Sequence, residues 1–516
     1  MSETAVAPPS LQDKVRSGAL WSAGSTLFLR FANIAIMAVV ARIVAPEAFG
    51  VFALAMVVQG VVASLAELGV SSALLRSDLN PDRIAPTIMT LSIASSLFLG
   101  ILMFVFAEPL AIALGSADAA DPVRIMALSV ALVGPFAVPS ALIQREFQQD
   151  VIFKAAAIGF VPSSAIMIGV SLAGDGAIAF ALSRVAAQLV TGVYLTMKVK
   201  KRYRPGWRRD QVWMLISFGL PLSQANLLSQ LLVNIDYIFV GRTLGIEATG
   251  LYTLAFTIAG WSTAVIGSVL NGIVQPAFSK VRHEEGDLTD ALFRSTRTVA
   301  LVSFAIGSLT LALAGPLITT IYGDQWTSAA PALVALSVYG VIFVICLLFG
   351  NIIISAGKTG LLFAVQVAAL IALIPAMALG IHYGGLVGVG LAHIVVTAGV
   401  TLPLYLLIIR RVIPRASTVA FRALAWPAIA GVLAGLAAWS TTLLLSTALA
   451  QFIVGGIVGG FVYLLVAAPL FSPLLPPALM RRRPVAVVFG IVATPATWIT
   501  TRQWRPRYNS MYERQM

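Results

Sequence analysis

Arg30 stands in the middle of an apolar run, SGALWSAGSTLFLRFANIAIMAVV (17–40), where a guanidinium is costly. Ser22, Thr26, Arg30 and Asn33 fall within about 80° of one another on a helix that turns 100° per residue. A second run carries Ser223, Asn226, Gln230, Asn234 and Tyr237 as a similar stripe, and a third places Ser268, Asn271 and Gln275 on one face. Polar groups enter hydrocarbon at a high cost unless they are paired or wet, so stripes at helical spacing mark a polar interior. Its chemistry is recognition. A guanidinium forks onto phosphate oxygens, and Asn, Gln and Ser suit sugar hydroxyls. The plain alternative is structural pairing between packed helices.

Four more ionisable residues lie in apolar runs: Glu67, Arg184, Asp236 and His393. Arg184 is the second candidate cation for the same interior, and Glu67 and His393 are the candidates for ion coupling. Asp236 lies off the polar stripe of its helix and near the helix end, so a structural role is expected of it. Arg42 and Arg242 each precede a glutamate (Glu47, Glu247) by five residues and are expected to form loop ion pairs. The single cysteine, Cys346, excludes an internal disulfide or a CxxC metal site and suits a small core position. With no catalytic constellation and no cofactor or metal motif, a non-enzymatic role is expected.

The elements that position these residues follow from composition. Hydrophobic residues make up 59% of the chain and charged ones 11%, with a mean hydropathy of +0.93. Soluble domains carry about 25% charged residues, so this is an integral membrane protein. The net charge of +13 does not indicate nucleic acid, because the basic residues sit in short loops between apolar runs, as topology signals do. At about 20 residues per crossing, spans are expected near 17–42, 49–75, 84–112, 124–146, 152–173, 177–198, 213–240, 249–276, 293–321, 328–355, 360–381, 385–409, 423–447 and 451–472. The first run is too long for a signal-peptide core and reads as an uncleaved span. Lys and Arg concentrate in the N-terminus, the loops after even-numbered spans and the C-terminus, which places both termini in the cytoplasm.

The chain also repeats itself. ARIVAPEAFGVFALAMVVQG (41–60) matches GRTLGIEATGLYTLAFTIAG (241–260) at seven positions two hundred residues apart, among them Gly50/Gly250 and Gly60/Gly260. Gly18, Ser22 and Asn33 match Gly219, Ser223 and Asn234, residues 109–130 resemble 316–338, and 176–190 follow the pattern of 385–399, which pairs Arg184 with His393. An even number of spans per copy inserts both the same way round, as parallel-repeat transporters do. The expected fold class is an all-α polytopic membrane protein of about 14 transmembrane helices, with two homologous six-helix lobes and two extra C-terminal helices. The expected divisions are a cytoplasmic N-terminus (1–16), an N-lobe (17–198), a basic cytoplasmic linker (199–212), a C-lobe (213–410), two further helices (411–473) and a basic tail (474–516) suited to the membrane interface.

The fragments ARIVAPEAFG, ELGVSSALLR (67–76), LIQREF (142–147), SFGLPL (217–222), NIDYIFVGRTLG (234–245), PAFSK (276–280) and GDQWTSAAP (323–331) together resemble the polysaccharide-transporter family. These are flippases for lipid-linked O-antigen, colanic-acid and exopolysaccharide units, within the multidrug/oligosaccharidyl-lipid/polysaccharide exporter superfamily. The resemblance implies alternating access and a polyprenyl-diphosphate-linked oligosaccharide moved from the cytoplasmic to the outer leaflet of the inner or plasma membrane. It also implies membrane lipids around the protein, and glycosyltransferases and a polysaccharide polymerase as functional neighbours. In related lipid II flippases a basic residue in the first span contacts the diphosphate, and Arg30 occupies the matching place. Those relatives also use acids in spans 7 and 11 for a cation, whereas span 11 here offers only Gln366. The rival readings are a multidrug/ion antiporter of the same superfamily, which would favour an acidic, aromatic cavity, and a membrane-embedded glycosyltransferase, which would need a large acidic outer loop.

The distribution of Lys and Arg yields a direct test. With cysteines introduced near 206 and near 324, an impermeant thiol reagent added outside intact cells should label the second and not the first. Labelling of 206 alone overturns the topology.

Overall fold

The computed structural model describes residues 29–66, 69–75, 79–269, 288–356 and 358–471. Glu67, Asn271, Gln275, the N-terminal 1–16 segment and the 474–516 tail lie outside them. No strand occurs among the described residues. The helices are α1 (Leu29–Ala41), α2 (Pro46–Ala66), α3 (Pro81–Val105), α4 (Ala107–Leu114), α5 (Ala120–Arg145), α6 (Gln149–Leu172), α7 (Gly176–Lys198), α8 (Arg209–Leu244) and α9 (Ile246–Val269). They continue with α10 (Leu288–Ala312), α11 (Ala314–Ile321), α12 (Ala330–Ser355), α13 (Thr359–Val396), α14 (Leu402–Arg410), α15 (Ala416–Leu444) and α16 (Ala448–Phe471). Eleven stretches among the described residues are long and apolar enough to cross a membrane.

Local chemistry sets the breaks. Asn80 caps α3, its side-chain oxygen accepting from the Asp82 N–H at 2.9 Å, and Pro81 opens the helix without a donor to lose. The runs 84–112 and 293–321, expected as single spans, each divide into a long helix and a short one. Pro109 and Pro316 account for both divisions. A proline removes its own hydrogen bond and its ring clashes with the carbonyl four residues earlier, which is Val105 and Ala312, the last residues of α3 and α10. The break inside α13 is sharper. Gly385 has φ 51° and ψ −132°, and Gly380 packs against the backbone of Gly388. In a straight helix those two residues would be about 12 Å apart along the axis, so α13 is a helical hairpin that turns at Gly385.

The chain forms two compact units. In the first (1–261, 318–336 and 364–401), α3 packs on α5, α5 on α7, α7 on α6, and α2 on α8. At the crossing of α2 and α9 two backbones touch. A Cβ on Gly50 would collide with the carbonyl oxygen of Ile246, and one on Gly250 with that of Pro46. The contact is self-complementary, because residues 46 and 50 meet 250 and 246, each two hundred positions from its counterpart. Nearby, Trp326 Nε1 donates to the Ala41 carbonyl at 2.7 Å, and Gln325 Nε2 donates to the same oxygen at 2.5 Å. The expected ion pairs Arg42–Glu47 and Arg242–Glu247 do not form among the described residues. Arg42 instead donates to the carbonyls of Thr320 and Ile321, the free acceptors at the end of α11, and Glu47 faces outward.

In the second unit (262–317, 337–363 and 402–516), α15 packs on α10 and α16 on α15. Small residues bring the backbones together: Gly431 lies against Phe304, and Gly459 lies against Ala434 and Ala438. Tyr463 donates to the Leu301 carbonyl at 2.6 Å and Trp426 to that of Val466 at 2.9 Å, so both polar rings are satisfied within the apolar bundle.

The α2–α9 crossing gives a stability test. Gly50→Val or Gly250→Val places a side chain against backbone that cannot rotate aside, and should cost about 1–3 kcal/mol or more, read as a lowered Tm in detergent. Gly456→Ala and Gly460→Ala, where nothing lies within 4 Å, should leave Tm unchanged or slightly raised. Equal effects at all four positions would remove the crossing from its place in the fold.

Candidate functional site

Two groups of polar side chains emerge in the first unit. The first lines α1 and α8. Asn33 and Asn234, equivalent in the repeat, do the same thing: each turns its amide back onto its own helix, to Leu29 O at 2.8 Å and to Gln230 O at 2.7 Å. Gln230 reaches across to α2, where Nε2 donates to the Gly60 carbonyl at 3.4 Å. A Cβ on residue 60 would sit 2.9 Å from that nitrogen, so a larger residue there would push the Gln230 amide aside. Arg30 and Asn226 are exposed, and Arg30 has no hydrogen-bonding or ion-pair partner among the described residues. Arg184, on α7, is exposed as well and equally without a partner there. No contact among the described residues joins Arg30, Arg184 and Asn226 to one another.

The second group is buried. Asp236 (1% exposed) on α8, Tyr252 (0%) on α9 and His393 (6%) in the second arm of α13 meet side to side. Tyr252 donates to Asp236 Oδ2 at 2.5 Å, His393 Nε2 lies 3.5 Å from the same oxygen, and Tyr252 Oη lies 3.3 Å from His393 Nε2. The other Asp236 oxygen accepts from the Tyr237 N–H at 2.9 Å. Tyr237 and Phe256 pack around the cluster, their rings 5.5 and 5.7 Å from that of Tyr252. A carboxyl, a phenol and an imidazole in mutual contact can pass or hold a proton within an otherwise apolar wall.

The structure thus places His393 beside an acid and adds Asp236 and Tyr252, which the sequence reading did not count as site residues. The signal was half present. Asp236 lies off the polar stripe of α8, which means that it faces another helix, and Tyr252 follows the shared Gly50/Gly250 position where the first copy has Phe52. Glu67, Asn271 and Gln275 fall outside the described residues.

The described residues form a bundle of apolar helices with a hairpin at Gly385 and a buried polar cluster on α8, α9 and α13. The backbone matches the inward closed conformation of the lipid II flippase MurJ with a TM-score of 0.68, covering 87% of this chain and 99% of that one at 14% identity. It matches the inward-facing conformation of a multidrug resistance MATE family transporter of the MOP superfamily with a TM-score of 0.60, covering 78% and 98% at 18% identity. At these identities the likeness fixes the fold alone. Residues 39–331 match the family described as "Polysaccharide biosynthesis protein", and the chain belongs to that family.

Among its relatives are the teichuronic acid biosynthesis protein TuaB of Bacillus subtilis (strain 168), 24% identical over 69% of this chain and 74% of the relative, and the lipopolysaccharide biosynthesis protein WzxC of Escherichia coli (strain K12), 22% identical over 78% and 82%. The succinoglycan biosynthesis transport protein ExoT of Rhizobium meliloti (strain 1021) is 28% identical over 70% and 73%. The protein is a multi-pass membrane transporter of polysaccharide biosynthesis.

The buried cluster carries a double-mutant test. Tyr252→Phe removes a donor to a buried carboxyl and should cost about 1–3 kcal/mol. Asp236→Asn should be similarly costly, and the pair together should cost less than the sum, with a coupling of about 1 kcal/mol. Strict additivity in thermal or denaturant unfolding would show that the two do not share a bond.

Proposed function

We propose that the protein is a flippase that carries polyprenyl-diphosphate-linked oligosaccharide units from the cytoplasmic to the outer leaflet, and is not an enzyme. The family, the relatives named for polysaccharide biosynthesis and transport, and the transporter fold support the substrate class. The observation that carries the mechanism is the contrast between Arg30 and Gln230. In the sequence repeat they occupy equivalent places to within one residue; Gln230 is committed to the Gly60 carbonyl, while Arg30 is exposed with no partner among the described residues.

A diphosphate cannot enter hydrocarbon unaided, whereas a prenyl tail can stay in lipid throughout. The protein therefore supplies a cationic, polar interior for the headgroup and leaves the tail outside. On this reading Arg30 is the leading headgroup ligand, Arg184 the second cation, and Asn33, Asn226, Gln230, Asn234, Asn271 and Gln275 surround them. Fourteen spans in two six-helix lobes, 17–198 and 213–410, would rock about the site. The 199–212 linker, the 1–16 segment and the 474–516 tail would all be cytoplasmic, and helices 411–473 form an added pair. Glycosyltransferases and a polymerase would act before and after the transport step. His393, held by Asp236 and Tyr252, is the coupling group in the second copy, with Glu67 as a further candidate in the first; protonation of the cluster would bias one conformation over the other.

A charged hydrogen bond contributes about 1.5–3 kcal/mol, so Arg30→Ala should slow export by roughly one to two orders of magnitude. Arg30→Lys should recover part of the loss, since lysine keeps the charge without the fork. Complementation of a flippase-deficient strain at matched protein levels reads this out. If Arg30→Ala and Arg184→Ala, singly and together, export at the wild-type rate, the headgroup assignment is wrong.

The coupling group has its own readout. In vesicles, His393→Gln and Asp236→Asn should make transport insensitive to an imposed pH gradient while substrate still binds. A gradient dependence unchanged in both variants removes the cluster from coupling.

A further inference from the structure

At one end of the first unit, two helices cap each other. α1 ends at Ala41, whose carbonyl accepts from Trp326 Nε1 at 2.7 Å and from Gln325 Nε2 at 2.5 Å. Gln325 Nε2 also donates to the Val44 carbonyl at 3.3 Å. α11 ends at Ile321, and its last carbonyls, Thr320 and Ile321, accept from Arg42, the second at 3.2 Å. Each helix end therefore has its free acceptors filled by side chains from just past the end of the other, and an arginine suits the negative end of a helix. Residues 41–44 belong to the first copy of the repeat and 320–326 to the second.

The reciprocal junction, between α4 of the first copy and residues 241–242 of the second, is made differently. There backbone meets backbone. A Cβ on Gly115 would sit 2.6 Å from the Gly241 oxygen and 3.1 Å from the Arg242 nitrogen, and one on Gly241 would sit 2.9 Å from the Leu114 oxygen. Arg242, the counterpart of Arg42, is exposed and takes no carbonyl of α4 among the described residues. One junction is bare backbone, and the other is built of long polar side chains around the Trp326 ring, which stands edge-on to Phe49 at 4.6 Å.

We propose that the mutual capping of α1 and α11 by Arg42, Gln325 and Trp326 is a latch that holds the outer end of the transporter closed and sets how often it opens. The inference rests on the reading above, in which the two copies move against one another and residues near 324 lie outside. Copies that separate at this end must break every bond that joins 41–44 to 320–326. Helix ends at the membrane surface can exchange a side-chain donor for water, so each such bond shifts an equilibrium only about two- to tenfold. Several together keep the end shut, and none is strong enough to seal it.

The test uses the full-length protein in right-side-out and inverted membrane vesicles, with Cys346→Ser to remove the native thiol and Asn226→Cys as a reporter on an exposed position of α8. An impermeant maleimide reads the rate at which 226 is reached. Arg42→Ala with Gln325→Ala should speed labelling from the outer side about tenfold, the effect of two or three such bonds. Restoring a donor with Arg42→Lys beside Gln325→Ala should recover part of the difference. Gln451→Ala is the control: it removes a similar cap, on the Thr442 and Leu445 carbonyls at the end of α15, that joins no two copies, and it should leave the rate unchanged. Equal acceleration by the control would mark general loosening and overturn the latch. A rate unchanged from either side, even with a lowered Tm, reduces the bonds to structural caps and also overturns it; export that still depends on Arg30 would leave the flippase reading standing. Acceleration from the inner side alone overturns the outer assignment together with the topology. If the double variant does not fold, Arg42→Ala decides, since that side chain is exposed: a rise of about twofold or more is expected, and no change overturns the proposal.

Discussion

Hydrocarbon offers no water, so every polar group in a span must find its partner within the protein or face a polar cavity. That constraint sorts the polar residues of this chain more sharply than any motif. Asn33, Asn234 and Asn351 fold their amides back onto carbonyls one turn earlier. Trp326, Trp426 and Tyr463 each reach a carbonyl on another helix. These bonds are internal and satisfied, and they explain themselves as structure. Arg30 and Arg184 are exposed and take no partner among the described residues. On the proposed reading these are the charges kept for the headgroup and not for packing.

The same medium removes the usual force between helices. Lipid tails are as apolar as leucine, so association depends on close packing, and small residues permit it. The α2–α9 crossing shows how far this goes: Gly50 and Gly250 let two backbones touch, and the exchange of partners between residues 46 and 246 gives the contact local two-fold character. The hairpin at Gly385, where Gly380 and Gly388 abut, and the seating of Gly431 on Phe304 repeat the principle. Gly60 likewise leaves room for the Gln230 amide to reach its carbonyl.

Much of this was legible beforehand, and the reasons are physical. Apolar runs of about 20 residues announce spans, and the break expected between 360–381 and 385–409 falls at the turn within α13. The divisions at Pro109 and Pro316 were legible too, since a proline four residues on ends a helix, but counting hydropathy alone passes over them. Arg42 was not legible. Its acceptors on Thr320 and Ile321 are 278 and 279 residues away, and a nearby glutamate offered a cheaper local explanation. The Asp236 cluster was partly legible: helical phase took Asp236 off the polar stripe, but phase alone cannot say which helix it meets. Only the fold brings Tyr252 and His393 to it.

The two copies of the repeat keep their geometry and part in their chemistry. Asn33 and Asn234 make the same bond, and Gly50 and Gly250 the same contact. Yet Phe52 stacks on Phe180 at 4.7 Å, while its counterpart Tyr252 bonds Asp236. The place of Asp236 is apolar in the first copy (Ala35–Ile36), and Arg184 corresponds to His393. In the proposed mechanism the labour is divided, with the cations Arg30 and Arg184 in the first copy and the bonded Asp236–Tyr252–His393 cluster in the second. On the proposed reading that division is what turned a symmetric scaffold into a directional transporter.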